Sequence, residues 1–136
     1  MKNILATATG NKDFSTLVDA IKKAHLEDTL QGNKEYTVFA PNNEAFDTMS
    51  KEEFKELLQN EEELQNILKY HIIPGKVWSK DIKNKEYKTA QGDNIRINTK
   101  EGVKVNDSNV ITTDIETSNG IIHVIDKPLV PSRKTK

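Results

Sequence analysis

Tyr36-Thr37-Val38-Phe39-Ala40-Pro41-Asn42-Asn43-Glu44-Ala45-Phe46 is the stretch on which the fold turns. Its first five residues are a continuous β-branched and aromatic run, the composition of a buried strand. Pro41 has no N–H to continue a ladder and ends it. Asn42 then offers a side-chain oxygen to the orphan amides of a helix start. Glu44 falls in the first turn of that helix, where its dipole favours an anion, and Phe46 folds back onto the core. A buried strand thus hands the chain directly to a helix.

Upstream the pattern is helical. Ile4, Leu5 and Ala8 suggest a short turn ended near Gly10. Phe14, Leu17, Val18, Ile21 and Ala24 then draw one apolar stripe at the 3.6-residue period, with Asn11 or Asp13 available as its cap. A further turn runs through Leu26 to Leu30 and is broken by Gly32-Asn33. Downstream, Ser50-Lys51-Glu52-Glu53 reads as a capping box before Phe54, Leu57 and Leu58. Asn60 opens another helix with Glu61, Glu62 and Glu63 in its first turn. Leu64, Ile67 and Leu68 form its buried side and Lys69 suits its carboxyl end.

After Pro74-Gly75 the chain alternates short β-branched runs with turn residues, beginning with Lys76-Val77-Trp78. Gln91-Gly92-Asp93-Asn94 leads into Ile95-Arg96-Ile97, a half-buried strand by its period of two. Glu101-Gly102 turns it into Val103-Lys104-Val105, a hairpin. Val110-Ile111 and the run Ile121 to Asp126 close the sheet system, with Ser118-Asn119-Gly120 as a positive-φ turn between them. Helices first and strands later specify a β-rich α+β architecture, not alternating βαβ units.

The 136 residues suit one domain, with a core over about 3–131 and a flexible basic tail at 132–136. Lys and Arg number 20 against 21 Asp and Glu, and no basic block stands out, so nucleic acid is not expected as a partner. The absence of cysteine removes disulfides, thiolate metal sites and a Cys nucleophile together. No apolar run approaches the roughly 20 residues that cross a bilayer, so membrane insertion is not expected. The residues from Met1 to Thr7 do not form a signal peptide, which leaves a cytoplasmic location or a removed leader as the two alternatives.

Three segments in order resemble the fasciclin (FAS1) family, including its β-Ig-H3-type adhesion domains. They are Tyr36–Phe46, then Leu68-Lys69-Tyr70-His71-Ile72-Ile73-Pro74-Gly75-Lys76-Val77, then Asn119-Gly120-Ile121-Ile122-His123-Val124-Ile125-Asp126-Lys127-Pro128-Leu129-Val130-Pro131. The resemblance implies a wedge of two β-sheets with helices packed from the N-terminal half. It also implies a non-catalytic adhesion or protein-interaction module, secreted or displayed at a cell surface. The partner class it suggests is an integrin-like receptor or a matrix component. Near-neutral charge and the lack of an exposed apolar helix suggest a monomer.

The same resemblance points to Tyr70 and His71, and to Asp114 and Ile115, as partner-binding residues. An exposed aspartate could complete the shell of a divalent cation held by a receptor, since such cations take hard oxygen ligands. Against this stand two plainer readings: His71 as a hydrogen-bonded core histidine, and Asp114 as an ordinary acid before a turn. Thr117 stands where the family often has Ala. His25, His71 and His123 show no ligand spacing, so neither a metal nor another cofactor is expected. The serines form no nucleophile-elbow motif, no glycine-rich loop resembles a phosphate cradle, and the chain is not expected to be an enzyme. Asn106-Asp107-Ser108 is a sugar-acceptor sequon. Two other functions stay open: a carrier of a small apolar ligand lined by Phe39, Ile73, Val77 or Trp78, and a spacer within a longer surface protein.

Overall fold

The computed structural model describes residues 3–31, 34–48, 51–90, 92, 94–100, 102–106, 108–127 and 129. The Gly32-Asn33 break, Ser50 of the capping box, Gln91, Asp93, Glu101, Asp107 of the sequon, Pro128, Val130, Pro131 and the basic tail lie outside them. Six helices occur among the described residues: α1 (Ile4–Thr9), α2 (Ser15–Lys23), α3 (Glu27–Gln31), α4 (Asn43–Phe46), α5 (Lys51–Gln59) and α6 (Glu61–Tyr70). The strands are β1 (Tyr36–Pro41), β2 (Ile72–Pro74), β3 (Glu86–Lys88), β4 (Asn94–Asn98), β5 (Lys104–Val105), β6 (Ser108–Thr117) and β7 (Gly120–Ile125).

The strands are hydrogen-bonded in the order β2-β1-β7-β6-β5-β4-β3. β1 runs parallel to β7, Tyr36 opposite Gly120 through Pro41 opposite Ile125, and every other pair is antiparallel. The two expected sheets are therefore joined through β6, whose first residues pair with β5 and whose remainder pairs with β7. Period-two alternation sorts the side chains of β2, β1 and β7 between two cores. Val38, Ala40, Ile72, Ile122 and Val124 face the helices and pack with Phe14, Leu17, Ile21, Leu64 and Leu68. Phe39, Ile73 and Ile125 face the other way and pack with Ile95, Ile97 and Val105 of β4 and β5. The second cluster closes the two halves of the sheet over one another, which makes the wedge.

Most helix signals act where the sequence places them. Asn42 Oδ1 accepts from Ala45 N at 2.8 Å and Asn60 Oδ1 from Glu63 N at 3.1 Å. Asn11 caps a 3-10 turn, Lys12–Phe14, that leads into α2, so the cap acts one turn earlier than the apolar stripe suggests. Removing the oxygen by Asn42→Ala should cost about 1 kcal/mol, read as a shift in urea midpoint at unchanged slope.

Four strand readings change. Lys76-Val77-Trp78 lies in no strand, and β2 comes before Gly75, directly after α6. Thr37 explains the difference: its hydroxyl donates to Gly75 O at 2.7 Å and accepts from Val77 N at 2.8 Å, pinning that segment to a side chain instead of a ladder. β3 is an additional strand with no apolar run of its own, held by β4. β6 extends well past Val110-Ile111 and carries two register shifts, one between Val110 and Thr112 and one between Thr112 and Ile115. The Asn119-Gly120 turn does not use positive φ, which the described chain takes at His25, Gly75, Gly92, Gly102, Asn106 and Asp114.

Asn119 instead acts as a buried tie. Its Oδ1 accepts from Ile4 N at 2.9 Å, satisfying an orphan amide at the start of α1. Its Nδ2 donates to Leu30 O at 2.8 Å, and its own carbonyl accepts from Tyr36 N at 3.1 Å. One amide side chain thus fastens two helices to the β6–β7 turn.

Candidate functional site

The four residues singled out in sequence fall into two separate places. Tyr70 and His71 end α6 and are both buried. The Tyr70 hydroxyl donates to Asn94 O at 3.1 Å and accepts from Asn106 Nδ2 at 3.1 Å, bracing the helix against the β4–β5 half of the wedge. His71 Nδ1–H donates to Ile67 O at 2.8 Å, an orphan carbonyl of the helix end, and Nε2 accepts from Leu129 N at 2.8 Å. Burial, only partly offset by the bond to Ile67, pushes the ring's pKa down to about 4, so the imidazole is neutral. Both ring nitrogens are occupied. In the folded chain the polar atoms of the Tyr–His pair are thus bonded within the fold.

Asp114 and Ile115 lie within β6, at its second register shift, and not in a loop before a turn. Thr113 and Asp114 together oppose His123 alone, since Thr112 pairs with Val124 and Ile115 with Ile122. This is a β-bulge, and Asp114 takes the left-handed conformation, φ 62°, which aspartate tolerates better than most residues. The bulge turns the Asp114 N–H onto His123 Nδ1 at 3.2 Å. The other ring nitrogen, Nε2–H, donates to Val77 O at 2.8 Å, and the ring stacks on Phe39 with centroids 5.6 Å apart.

The Asp114 carboxylate accepts from Ser79 N at 2.7 Å through Oδ1 and from the Ser79 hydroxyl through Oδ2. Burial raises its pKa, but the two Ser79 bonds, the neighbouring His123 and a Thr113 hydrogen bond together outweigh burial and hold it below its ordinary value. For His123, burial lowers the pKa more than Val77 and Asp114 raise it. The cluster is therefore an ionised, half-buried carboxylate on a fixed backbone, beside a neutral ring. Ile115 faces the helices and packs partly against the first core. With Ile111, which is 52% exposed, it lines a hollow of about 140 Å³ floored by Phe14 and Val124.

Ser79, Asp114 and His123 include the residue types of a hydrolytic triad without its connections. The Ser79 hydroxyl is turned to the carboxylate, and neither nitrogen of His123 is left to take its proton. His25 is exposed and pairs with Glu61, which lies 2.8 Å from Nδ1 and raises its pKa. Among the described residues no three His, Asp or Glu side chains converge as metal ligands. Sequence reasoning missed Ser79 and His123 as partners of Asp114, because Ser79 lies 35 positions away outside the β6–β7 hairpin and His123 meets Asp114 only through the bulged register of that hairpin.

The fasciclin-domain family model matches residues 12–131. The chain belongs to the fasciclin family. This fasciclin domain is 40% identical over 131 residues to Protein sll1483 of Synechocystis sp. (strain ATCC 27184 / PCC 6803 / Kazusa), covering 94% of the chain and 73% of that protein. It is also 40% identical over 133 residues to the transforming growth factor-beta-induced protein ig-h3 of Sus scrofa, covering 96% of the chain but 20% of that protein. Among solved structures it resembles the FAS1 domain pair of the insect cell adhesion molecule fasciclin I, with a TM-score of 0.81 at 22% identity. That match covers 97% of this chain and 52% of the other. The fasciclin fold is thus the wedge built from α1 to β7. Among its described residues no helix is long and apolar enough to cross a membrane.

Proposed function

We propose that this fasciclin domain is a non-catalytic adhesion or protein-interaction module working outside the cell or on its surface, and that the β6 bulge presents its contact residues. The observation that carries this reading is the fixed Asp114 carboxylate, held by Ser79 on a bulge stacked over a saturated histidine. Such an oxygen pair suits a divalent cation held by a partner. The insect cell adhesion molecule fasciclin I, which shares this fold, points the same way. Tyr70 and His71 act as positioning residues, holding the wedge to which the bulge is attached.

The carrier alternative is less well served. Phe39 and Ile73 are buried in the second core with Tyr70, Ile95 and Ile97, so an apolar ligand there would have to displace that packing. The spacer alternative differs from adhesion in one measurable way. Cells applied in Mg²⁺-containing buffer to the immobilised domain should be retained, and EDTA should release them. Asp114→Asn keeps acceptors and donors for Ser79 but removes the charge, and should lower half-maximal retention about tenfold or more. Equal retention by the folded variant would remove Asp114 from the site. No retention by the parent would leave the spacer reading in its place.

A further inference from the structure

We propose that the outer face of the β3–β4–β5 ribbon is a binding surface for an acidic polysaccharide. Charge is unevenly distributed along the chain. Residues 80–106 carry seven Lys and Arg against four Asp and Glu, whereas residues 1–79 carry nine against thirteen. The ribbon then sorts its side chains by alternation. Ile95 and Ile97 turn into the second core, while Asn94, Arg96 and Asn98 turn out. Register places Lys88 opposite Asn94, Glu86 opposite Arg96 and Lys104 opposite Asn98.

At the centre of this face is a polar cleft of about 270 Å³ lined by Asn84, Lys85, Glu86, Arg96, Asn98 and Lys100 around the backbone of Ile97. Arg96 is exposed and, among the described residues, forms no ion pair; Glu86 opposite it accepts instead from Asn94 Nδ2 at 3.2 Å. The arginine also sits on a fixed backbone. Asn106, at φ 53°, donates its N–H to Arg96 O at 2.7 Å and accepts from Arg96 N at 2.9 Å through Oδ1. The guanidinium is therefore unspent and projects from a backbone that Asn106 holds in place.

The chemistry of the lining selects the class of ligand. Arg96 and Lys100 fit carboxylate or sulfate groups, and the Asn84 and Asn98 amides fit hydroxyls. Glu86 in the same cleft disfavours densely packed phosphates and fits a hydroxyl-rich chain whose anions are spaced apart. Nucleic acid would also need a ring on which bases stack. Tyr87 is turned toward the second core, its hydroxyl accepts from Lys83 N at 2.9 Å, and Lys85 Nζ lies 5.1 Å from its ring centroid. This surface is separate from the Asp114 bulge and stands or falls without it.

Titration of the whole chain with polygalacturonate, followed by calorimetry, tests the proposal; neutral dextran, dextran sulfate and single-stranded DNA are the comparison arms. Polygalacturonate should bind, with affinity falling as salt rises, and neutral dextran should not. Arg96→Gln with Lys100→Gln should weaken binding about tenfold or more, since both cations line the cleft. Lys22→Gln with Lys23→Gln removes the same charge from exposed positions of α2 and should leave the affinity within about twofold. Dextran sulfate binding in place of polygalacturonate keeps the class and identifies ester sulfate as the anion. The proposal is overturned if neither acidic polymer binds, if the α2 control weakens binding equally, or if DNA binds more tightly than both.

Discussion

Replacing Gly120 by alanine should cost the fold about 3 kcal/mol or more, the upper range for overpacking. A Cβ at this position would lie 2.0 Å from Tyr36 O and 2.7 Å from Ile4 Cδ1. The isoleucine tip could move aside, but the carbonyl oxygen belongs to the first residue of β1. Tyr36 is held there on both sides, in register with Gly120 and with Pro74, and its N–H is bonded to Asn119 O at 3.1 Å. Relief therefore requires β1 to draw away from β7, with which it pairs in parallel, and this also strains the ties made by Asn119. Urea denaturation followed by circular dichroism measures the loss, expected with a Tm drop of about 10 °C or more. Adding Ile4→Ala to the variant should recover nothing, because the obstacle is backbone. A Gly120→Ala protein within about 1 kcal/mol of the parent would mean that the two strands do not approach this closely. Gly75 and Gly102 are glycines for a different reason: an added Cβ there meets nothing within 4 Å, but φ is 93° and 77°.

That contrast marks where the sequence could be read and where it could not. Local signals were legible: the apolar stripe of α2, the caps at Asn42 and Asn60, and the alternation of Ile95-Arg96-Ile97 are each written within a few residues. Gly120 was also placed in the correct turn, yet for the wrong cause, since its constraint comes from Tyr36, 84 positions upstream in the chain. The same holds for Asp114. Its local sequence, Thr112-Thr113-Asp114, carries no strand pattern because the bulge breaks the period of two, and Ser79 and His123 are supplied by other segments. β3 was hidden because Glu86-Tyr87-Lys88 has one partly buried side chain and depends on β4 for its ladder. The basic face was hidden too, because alternation disperses its cations along the chain and only the register of β3, β4 and β5 gathers them.

His71 sets the second large effect, a loss of stability on mild acidification. Its ordinary pKa is 6.5 and its folded pKa is about 4, so above pH 6.5 the ring is neutral in both folded and unfolded chains and contributes no pH dependence. Between those values the unfolded chain takes up a proton that the folded chain refuses, and stability falls as pH falls. Each unit of difference is worth about 1.4 kcal/mol, so about 2 kcal/mol should be lost between pH 7 and pH 5, and about 3 kcal/mol by pH 4. His123, lowered by burial as well, acts in the same direction. His25 acts oppositely, since its pairing with Glu61 favours the protonated ring, but it lies fully in solvent. Asp114 titrates below this window because its folded pKa is under 3.8, so stopping at pH 5 isolates the histidines. Urea midpoints at pH 7, 6 and 5 should fall steeply for the parent and much less for His71→Gln, whose amide can still meet Ile67 O and Leu129 N–H. The variant should start lower at pH 7 and lose its disadvantage as the parent's penalty grows. Parallel curves for the two proteins would mean that His71 binds its proton in the folded state, and that the hydrogen bond from Leu129 N to its ring is not made.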